Sequence, residues 1–350
     1  MANLLARLRA RHALCLLALC VLSLVTWIAT APAPASMASV LEYSGPTDVD
    51  LYTAIAARVA GGESYYAAAA AEHRANLYPL VPFYTVRPPI LAWLQALLGL
   101  GGLQVLGCFL TLAGAAAWSV RLHKSGYGAA EVVGVCLLYA LGGFYFYAAA
   151  LPLHDAWAGA LAGLAAALYR PGHVIWTVAL AVLASCFREF GLIFLGGGLA
   201  LSVMRRDWRE FGMWVAGIGA VAFVYAGHAW AVMQVWMAGD MASPGWFGAQ
   251  GTAFALFNAT GFSLLRIFDR IAGGAVLIAA LFGWTMAKRG GRLIFLFGIG
   301  ALMLVSLIAR GNNGYWALLL FPWILAGAAF LPRLVVKAWR QARLPFIAGA

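Results

Sequence analysis

Few residues in this chain can do chemistry, because only 10% of its 350 residues are charged. Those that can are not scattered. Asp48 and Asp50 stand just ahead of Tyr52, Arg87 precedes Pro88-Pro89, His154-Asp155 opens an apolar run, Arg188-Glu189 interrupts another, and Arg310 closes a third. A carboxylate held over a cavity can act as a general base and take the proton of an attacking hydroxyl. Asp48 and Asp50 fit that role, yet Thr47-x-x-Asp50 also spells a capping box, with both acids favourable at a helix N-terminus. Asp155 reads as an N-cap with Pro152 marking the start of its helix, or with His154 as an acceptor-orienting or metal-binding pair; a supporting role is preferred. For Arg87, Arg188 and Arg310 the plain reading is interfacial snorkelling or ion pairing, for instance Arg188 with Glu189 or Asp155. His228, inside an apolar helix, reads as a satisfied core histidine. Asn312-Asn313-Gly314 reads as a turn. Tyr65, Tyr66, Tyr84, Trp236 and Trp246 read as interfacial aromatics able to stack on sugars.

The elements that must position these residues are membrane helices. The chain is 64% hydrophobic, with mean hydropathy +0.87, where a soluble domain is roughly a quarter charged. That excludes a globular core in water and predicts an all-α polytopic membrane protein, a single membrane domain over 1–350. Apolar runs near 13–31, 102–121, 128–150, 154–169, 173–187, 190–204, 210–237, 268–287, 293–309 and 314–331 give about ten spans. The first follows Arg7, Arg9 and Arg11 and precedes an Ala-Pro stretch. It resembles a signal peptide but is long enough to read as an uncleaved helix. Pro89–Gly99 reads as a short interfacial helix. Cys15, Cys20, Cys108, Cys136 and Cys186 fall in apolar runs without metal-ligand spacing and read as small buried hydrophobes.

Charge sets the expected orientation. Sixteen basic residues and three acids fall on one side of the spans, seven basic residues and nine acids on the other, a net +13 against −2. By the positive-inside rule the first side is cytoplasmic, with both termini and a basic tail over 333–350. The +11 net charge therefore reports membrane orientation and does not point to nucleic acid. The outer side collects the unusual polar residues, and ionisable groups at membrane depth are costly and mostly functional. The outer segment 32–88 reads as two short helices. One is capped at Thr47 or Asp48, carries Leu51, Ile55 and Val59 as a stripe and ends at Gly61-Gly62. The other is capped by Ser64.

An aspartate four residues before a tyrosine, just after the first span, resembles the start of the first outer loop in C-type glycosyltransferases. Arg87-Pro88-Pro89 followed by Trp93 and Gly99 resembles the Lys-Pro-Pro-x-x-x-Trp pattern of their protein mannosyltransferase and aminoarabinose transferase branch. Asp155, opening a helix that ends in Tyr169-Arg170, is similar to a later Asp-Ala element. Arg310 with Tyr315-Trp316 and Pro322 is similar to a Lys/Arg-x-x-Tyr-Tyr…Pro element. Two departures are Arg87 for the family lysine, and Arg188-Glu189-Phe190-Gly191 where Lys-Gly-Pro is usual. The soluble C-terminal domain usual in that branch is replaced by the basic tail.

The resemblance implies transfer of one sugar, with inversion, from a polyprenyl-phosphate donor to a cell-envelope glycan, lipid or protein, on the periplasmic face of a bacterial inner membrane. Asp48 would be the base, with Asp50 second. Arg87, Arg188 and Arg310 would hold the donor phosphate, since arginine binds phosphate in bidentate fashion and keeps its charge when buried. Tyr52, His154, Asp155, Glu189 and Tyr315 would bind substrate or support the site. No set of carboxylate and histidine ligands stands out for a divalent metal, which stays open as a cofactor. Two other classes explain membrane-depth charges. One is a transporter or lipid-linked sugar flippase, against which the charges gather on one face and no repeat is visible. The other is a non-catalytic envelope assembly protein. The single-site reading predicts that Asp48, Arg87, Asp155, Arg188, Glu189 and Arg310 line one pocket.

Overall fold

A computed structural model of the chain describes residues 11–30, 47–147, 150–245, 247–288 and 290–343. Thirteen α-helices follow in order among these residues: α1 (His12–Thr30), α2 (Asp48–Ala60), α3 (Tyr65–Ala75), α4 (Ile90–Lys124), α5 (Ala129–Gly142), α6 (His154–Leu168), α7 (Ile175–Phe187), α8 (Leu192–Arg205), α9 (Trp208–Gln234), α10 (Gly251–Gly261), α11 (Arg270–Gly283), α12 (Gly290–Leu307) and α13 (Leu331–Ala342). No strand occurs among the described residues beyond one isolated bridge, Val81 with Ala242. The chain is all-α, as its composition requires.

Four helical stretches are long and apolar enough to cross a membrane: His12–Thr30, Phe83–Lys124, Trp208–Gln234 and Gly290–Leu307. Gly311–Leu320 with Ile324–Ala342 makes a fifth if this pair, bent by 48°, is one span. The ten expected spans are thus corrected to four or five. Several of the other runs do form helices, but short ones. α5, α6, α7 and α8 have 14, 15, 13 and 14 residues. At about 1.5 Å per residue a 14-residue helix reaches ~21 Å, short of a ~30 Å hydrocarbon core. The run at 314–331 is not α-helix at all. It forms two 3₁₀ segments, Gly311–Leu320 and Ile324–Phe330, parted around Pro322, whose ring cannot continue a helix.

Other expectations are met closely. α4 is broken at Gly99 (φ 65°, ψ 177°), a conformation that suits glycine, so residues 90–98 form a separate first piece as their composition predicts. Thr47 and Asp50 make the reciprocal capping box of α2, and Gly61 ends it. Ser64 stands at the N-cap of α3 but makes no capping bond. The cysteines are all unpaired, Cys20 buried and the others half-buried. Two helices were not expected: α10, set off by Gly245, Gly248 and Gly251, and α13, which forms part of the basic tail.

α6 is the axis of the packing. Every residue from His154 to Ala167 is buried except Leu164. Its alanines and glycines allow backbones to close on it: a Cβ at Gly159 would lie 2.5 Å from the Phe321 carbonyl oxygen. It packs against α4, α7, α12 and the Gly311–Leu320 segment. α1 is peripheral and buries only Ala13, Cys20 and Trp27, a stripe at seven-residue spacing, with Trp27 Nε1 donating to the Ile271 carbonyl at 2.8 Å.

α6 also joins two polar poles. At its C-terminal end Arg121 donates to the carbonyls of Ala166, Ala167 and Tyr169, and nearby Arg205 meets Glu210 and Arg333 meets Glu131. This is the basic pole. At its N-terminal end lie α2, α3 and the 76–89 loop, which pairs with the 235–243 loop through Leu80, Val81, Met241 and Ser243. This is the loop pole. Arg121, Arg205 and Arg333, all expected on the more basic side, thus lie at one end of α6, while Arg188, Glu189 and Asp155, expected on the other side, meet at the opposite end.

Candidate active site

The loop-pole site begins with helical geometry. Asp48 and Tyr52 are four residues apart and share one face of α2. Tyr52 is buried on that face and Asp48 is half-buried, while Asp50, two residues on, is exposed. Asp50 is consumed by the cap: its carboxylate accepts from Thr47 N at 2.8 Å and Thr47 Oγ1 at 2.7 Å. These bonds hold its pKa below the usual carboxylate value. Among the described residues no hydrogen bond or ion pair holds Asp48, and its charge falls on Tyr52, Tyr315 and His73.

Tyr52 meets the His154 ring edge-on at 4.8 Å and accepts from Arg87 Nε at 3.1 Å. Burial, with Asp48 adding and Arg87 opposing, pushes its pKa up to about 12. The phenol therefore keeps its proton.

Arg87 is aimed by its own backbone. Pro88 and Pro89 have no N–H, so this stretch cannot build regular structure, and its carbonyls must find donors elsewhere. Three consecutive carbonyls are gripped from three helices. His228 of α9 holds Val86 O at 3.0 Å. The Tyr65 hydroxyl of α3 donates to Arg87 O. His154 of α6 hydrogen-bonds the Pro88 carbonyl. With Nε2 of His228 protonated, its Nδ1 accepts from the Tyr66 hydroxyl at 3.2 Å. His228 is a satisfied histidine, and what it satisfies is the arginine-bearing loop. Sequence reasoning did not assign that role to His228 or Tyr65. The available signal was a single ionisable residue inside a span.

Arg188 ends α7 in an extended conformation that turns its side chain back into the protein. Its Nε donates to Asp155 at 2.9 Å and its Nη1 to Glu189 at 2.6 Å. The guanidinium lies over the Phe190 ring at 4.0 Å and the Trp316 ring at 5.1 Å. Glu189 Oε1 also faces Arg87 Nη1 at 3.5 Å, so one carboxylate oxygen bridges both arginines. Three buried polar atoms here have no partner: Arg188 Nη2, Tyr315 Oη and His154 Nδ1. Arg87 is not among them: its Nε donates to Tyr52 and its Nη1 to the Tyr84 carbonyl at 3.4 Å. A buried group without a partner costs free energy unless something else supplies one.

Four of the six residues expected in one pocket are joined by direct contacts: Asp155, Arg188, Glu189 and Arg87. Asp48 touches none of them among the described residues and is related to them only through Tyr52, with which it shares a face of α2. Arg310 is also apart. It precedes the 3₁₀ segment that carries Tyr315, and its Nε is buried without a partner, but no contact ties it to the other five. A small crevice beside the site is lined by Tyr52, Tyr65, Gln95 and His154 with Ile55, Leu91 and Ala92. Among the described residues no three His, Cys, Asp or Glu side chains are grouped to hold a metal. Trp246 lies outside the described residues. What the arrangement offers is a buried guanidinium nitrogen and a buried hydroxyl without partners among the described residues, in a cluster that reaches α2 through Arg87 and Tyr52. Neither a family model, nor a curated protein, nor a solved structure matches this chain.

Proposed function

We propose that this protein is a membrane glycosyltransferase that moves a sugar from a polyprenyl-phosphate donor to a cell-envelope acceptor. The observation that carries the reading is the meeting of Arg87 and Arg188 across Glu189, with Arg188 Nη2 and Tyr315 Oη buried and without a partner among the described residues, near the α2 face that carries Tyr52 and Asp48. The loop pole would face the periplasm of a bacterial inner membrane and the basic pole, with both termini, the cytoplasm, in keeping with the +13 against −2 charge split.

The chemistry follows from those groups. A lipid phosphate places its tail in the bilayer and its phosphate at the depth of the site. Asp48 takes the proton of the acceptor hydroxyl as that oxygen attacks the anomeric carbon. The bond from that carbon to the phosphate oxygen breaks, and the electron pair leaves with the polyprenyl phosphate. Arg87 and Arg188, with the Tyr315 hydroxyl, stabilise the charge on the leaving phosphate. Glu189, which bridges the arginines, must yield its place to that phosphate. Tyr52 holds Arg87 and keeps its proton, so it cannot serve as the base. Asp50 is the weaker candidate base because its oxygens are committed to the cap. Arg310 is a candidate third contact to the donor.

The test is transfer by the purified protein from a polyprenyl-phosphate sugar, with donor binding measured separately. Asp48→Asn should lower turnover by roughly 10²–10⁴ while binding is kept. Full activity in that variant would remove Asp48 as the base. A wild-type protein that neither binds nor consumes such donors would sink the reading altogether.

A further inference from the structure

α13 carries no acidic residue from Leu331 to Arg343. At roughly 100° per residue its side chains fall into three arcs. Leu334 and Ala338, both fully buried, face the protein. Val335, Val336 and Trp339 form a second arc and stand 48%, 47% and 55% exposed. Arg333, Lys337 and Arg340 form the third, and Arg343, just past the helix end, falls on the side of Trp339.

The helix is fixed at a defined depth. The Gln341 side-chain oxygen accepts from Ala13 N at 2.9 Å and Leu14 N at 3.1 Å, capping the first turn of α1. Lys337 Nζ lies 2.9 Å from His12 Nε2. α1 is one of the apolar helices long enough to cross a membrane, so a helix tied to its first turn lies where that span enters the bilayer. Within the basic set Lys337 and Arg343 are engaged only with neighbouring side chains and no carboxylate. Arg333 is paired with Glu131. Arg340 has no partner among the described residues, and Arg343 stacks on the exposed Trp339 ring at 3.4 Å.

From this we infer that α13 is an interfacial helix that binds the anionic headgroups of the membrane surface at the basic pole. Val335, Val336 and Trp339 dip toward the acyl chains, while Lys337, Arg340 and Arg343 reach the phosphates. Exposed valines and a tryptophan beside cations, on a helix held at the membrane boundary, match a charged bilayer surface in both polarity and sign. The inference is independent of the proposed transfer reaction.

Amide hydrogen exchange of the full chain in nanodiscs tests it. Exchange over 331–343 is compared between phosphatidylcholine discs and discs that also contain phosphatidylglycerol. The anionic discs should slow exchange, and high salt should erase the difference. Arg340→Gln should reduce the gain by roughly fivefold, the contribution of one cation near an anionic surface, and Lys337→Gln/Arg340→Gln/Arg343→Gln should abolish it. Exchange in α6 and α9 shows whether each variant is folded, and the single variant, which breaks no internal contact, carries the test if the triple one is not. Equal exchange in the two kinds of disc would overturn the inference, as would a triple variant that keeps the gain. Equal protection by soluble polyglutamate in phosphatidylcholine discs would reassign the face to an acidic protein and also overturn it.

Discussion

Both poles of the molecule set an arginine against a buried carboxylate, and they finish the job differently. At the basic pole Glu210 accepts from Arg205 Nη2 at 2.6 Å, Tyr169 Oη at 2.8 Å, Trp214 Nε1 at 3.1 Å and Gly172 N at 3.3 Å. Arg205 is a third exposed, so part of its charge remains in water. Among the described residues no buried side-chain atom of that cluster is left without a partner, and it ties α8, α9 and the end of α6 together. At the loop pole Arg188 is fully buried, its two pairs leave Nη2 unused, and Tyr315 Oη and His154 Nδ1 are also buried without a partner among the described residues. A satisfied polar cluster makes a rigid scaffold, whereas an unsatisfied one costs stability and is retained where a ligand completes it.

The largest expected effect separates the poles directly. Asp155→Asn leaves the Arg188 charge buried with Glu189 as its one ionic partner, and breaking a buried pair costs about 3–5 kcal/mol. Glu210→Gln lets Arg205 turn to solvent and should cost less, about 1.5–3 kcal/mol. Thermal unfolding in detergent measures both. Polyprenyl phosphate should restore stability to Asp155→Asn alone, because only the loop pole would receive an anion. A larger loss in Glu210→Gln, or equal rescue of both, would break the comparison.

Next in size is a pH effect confined to the loop pole. His73 is buried on α3, and burial, with Arg87 adding, lowers its pKa to about 4. Because the folded pKa lies below the ordinary 6.5, the unfolded chain binds the proton more readily between those values. The contribution to stability is therefore complete above pH 6.5 and is lost as pH falls toward 4, about 3 kcal/mol in all. His73→Gln should flatten that part of the profile of unfolding temperature against pH. A wild-type profile already flat between pH 4 and 6.5 would place the histidine in water.

How far the sequence could be read follows the same division. Charge counts separate the poles because loop charges respond to the membrane one by one, and the capping box of α2 and the Gly99 break are written in neighbouring residues. The joining of Asp155, Arg188, Glu189 and Arg87 was legible for a related reason: ionisable groups of both signs at one depth in an apolar chain have few choices of partner. The span count was not legible. Hydropathy alone does not distinguish the 13-residue α7, packed against α6, from a helix that crosses lipid, and nothing in the apolar run after Gly314 announces 3₁₀ geometry. The carbonyl grip on Val86, Arg87 and Pro88 was hidden because its donors come from α3, α6 and α9. Only the fold brings those together.

Glu189 sharpens the contrast further. Its oxygen sits between both arginines, where a phosphate would bind, and its side chain is 19% exposed. Replacing the charge in Glu189→Gln should therefore tighten binding of polyprenyl phosphate, by about tenfold or 1.4 kcal/mol. Turnover need not rise, since release of the leaving phosphate slows as its seat becomes more positive. Isothermal titration reads the affinity. Weaker binding in the variant would mean that Glu189 touches the donor and does not merely yield to it.

The smallest expected effect decides between two carboxylates on one turn of helix. Asp50 accepts from the Thr47 backbone and hydroxyl and is exposed, whereas Asp48 has no partner among the described residues and lies on the Tyr52 face. In Asp50→Asn the amide oxygen still accepts one of those bonds, and asparagine is tolerated in the first turn. The loss should stay below about 1 kcal/mol, since complete removal of a cap costs about that much. Because α2 carries Asp48 and Tyr52, fraying of its first turn would also move Asp48. Asp50→Asn should then lower turnover only about as much as it lowers helix occupancy, by less than roughly fivefold at a cost under 1 kcal/mol. Thr47→Ala, which removes the same cap from the other side, should match it in both respects. A loss in Asp50→Asn as deep as in Asp48→Asn, with Thr47→Ala unaffected, would show that Asp50 acts on the acceptor itself, and that the face of α2 turned to Arg87 is not where the proton is taken.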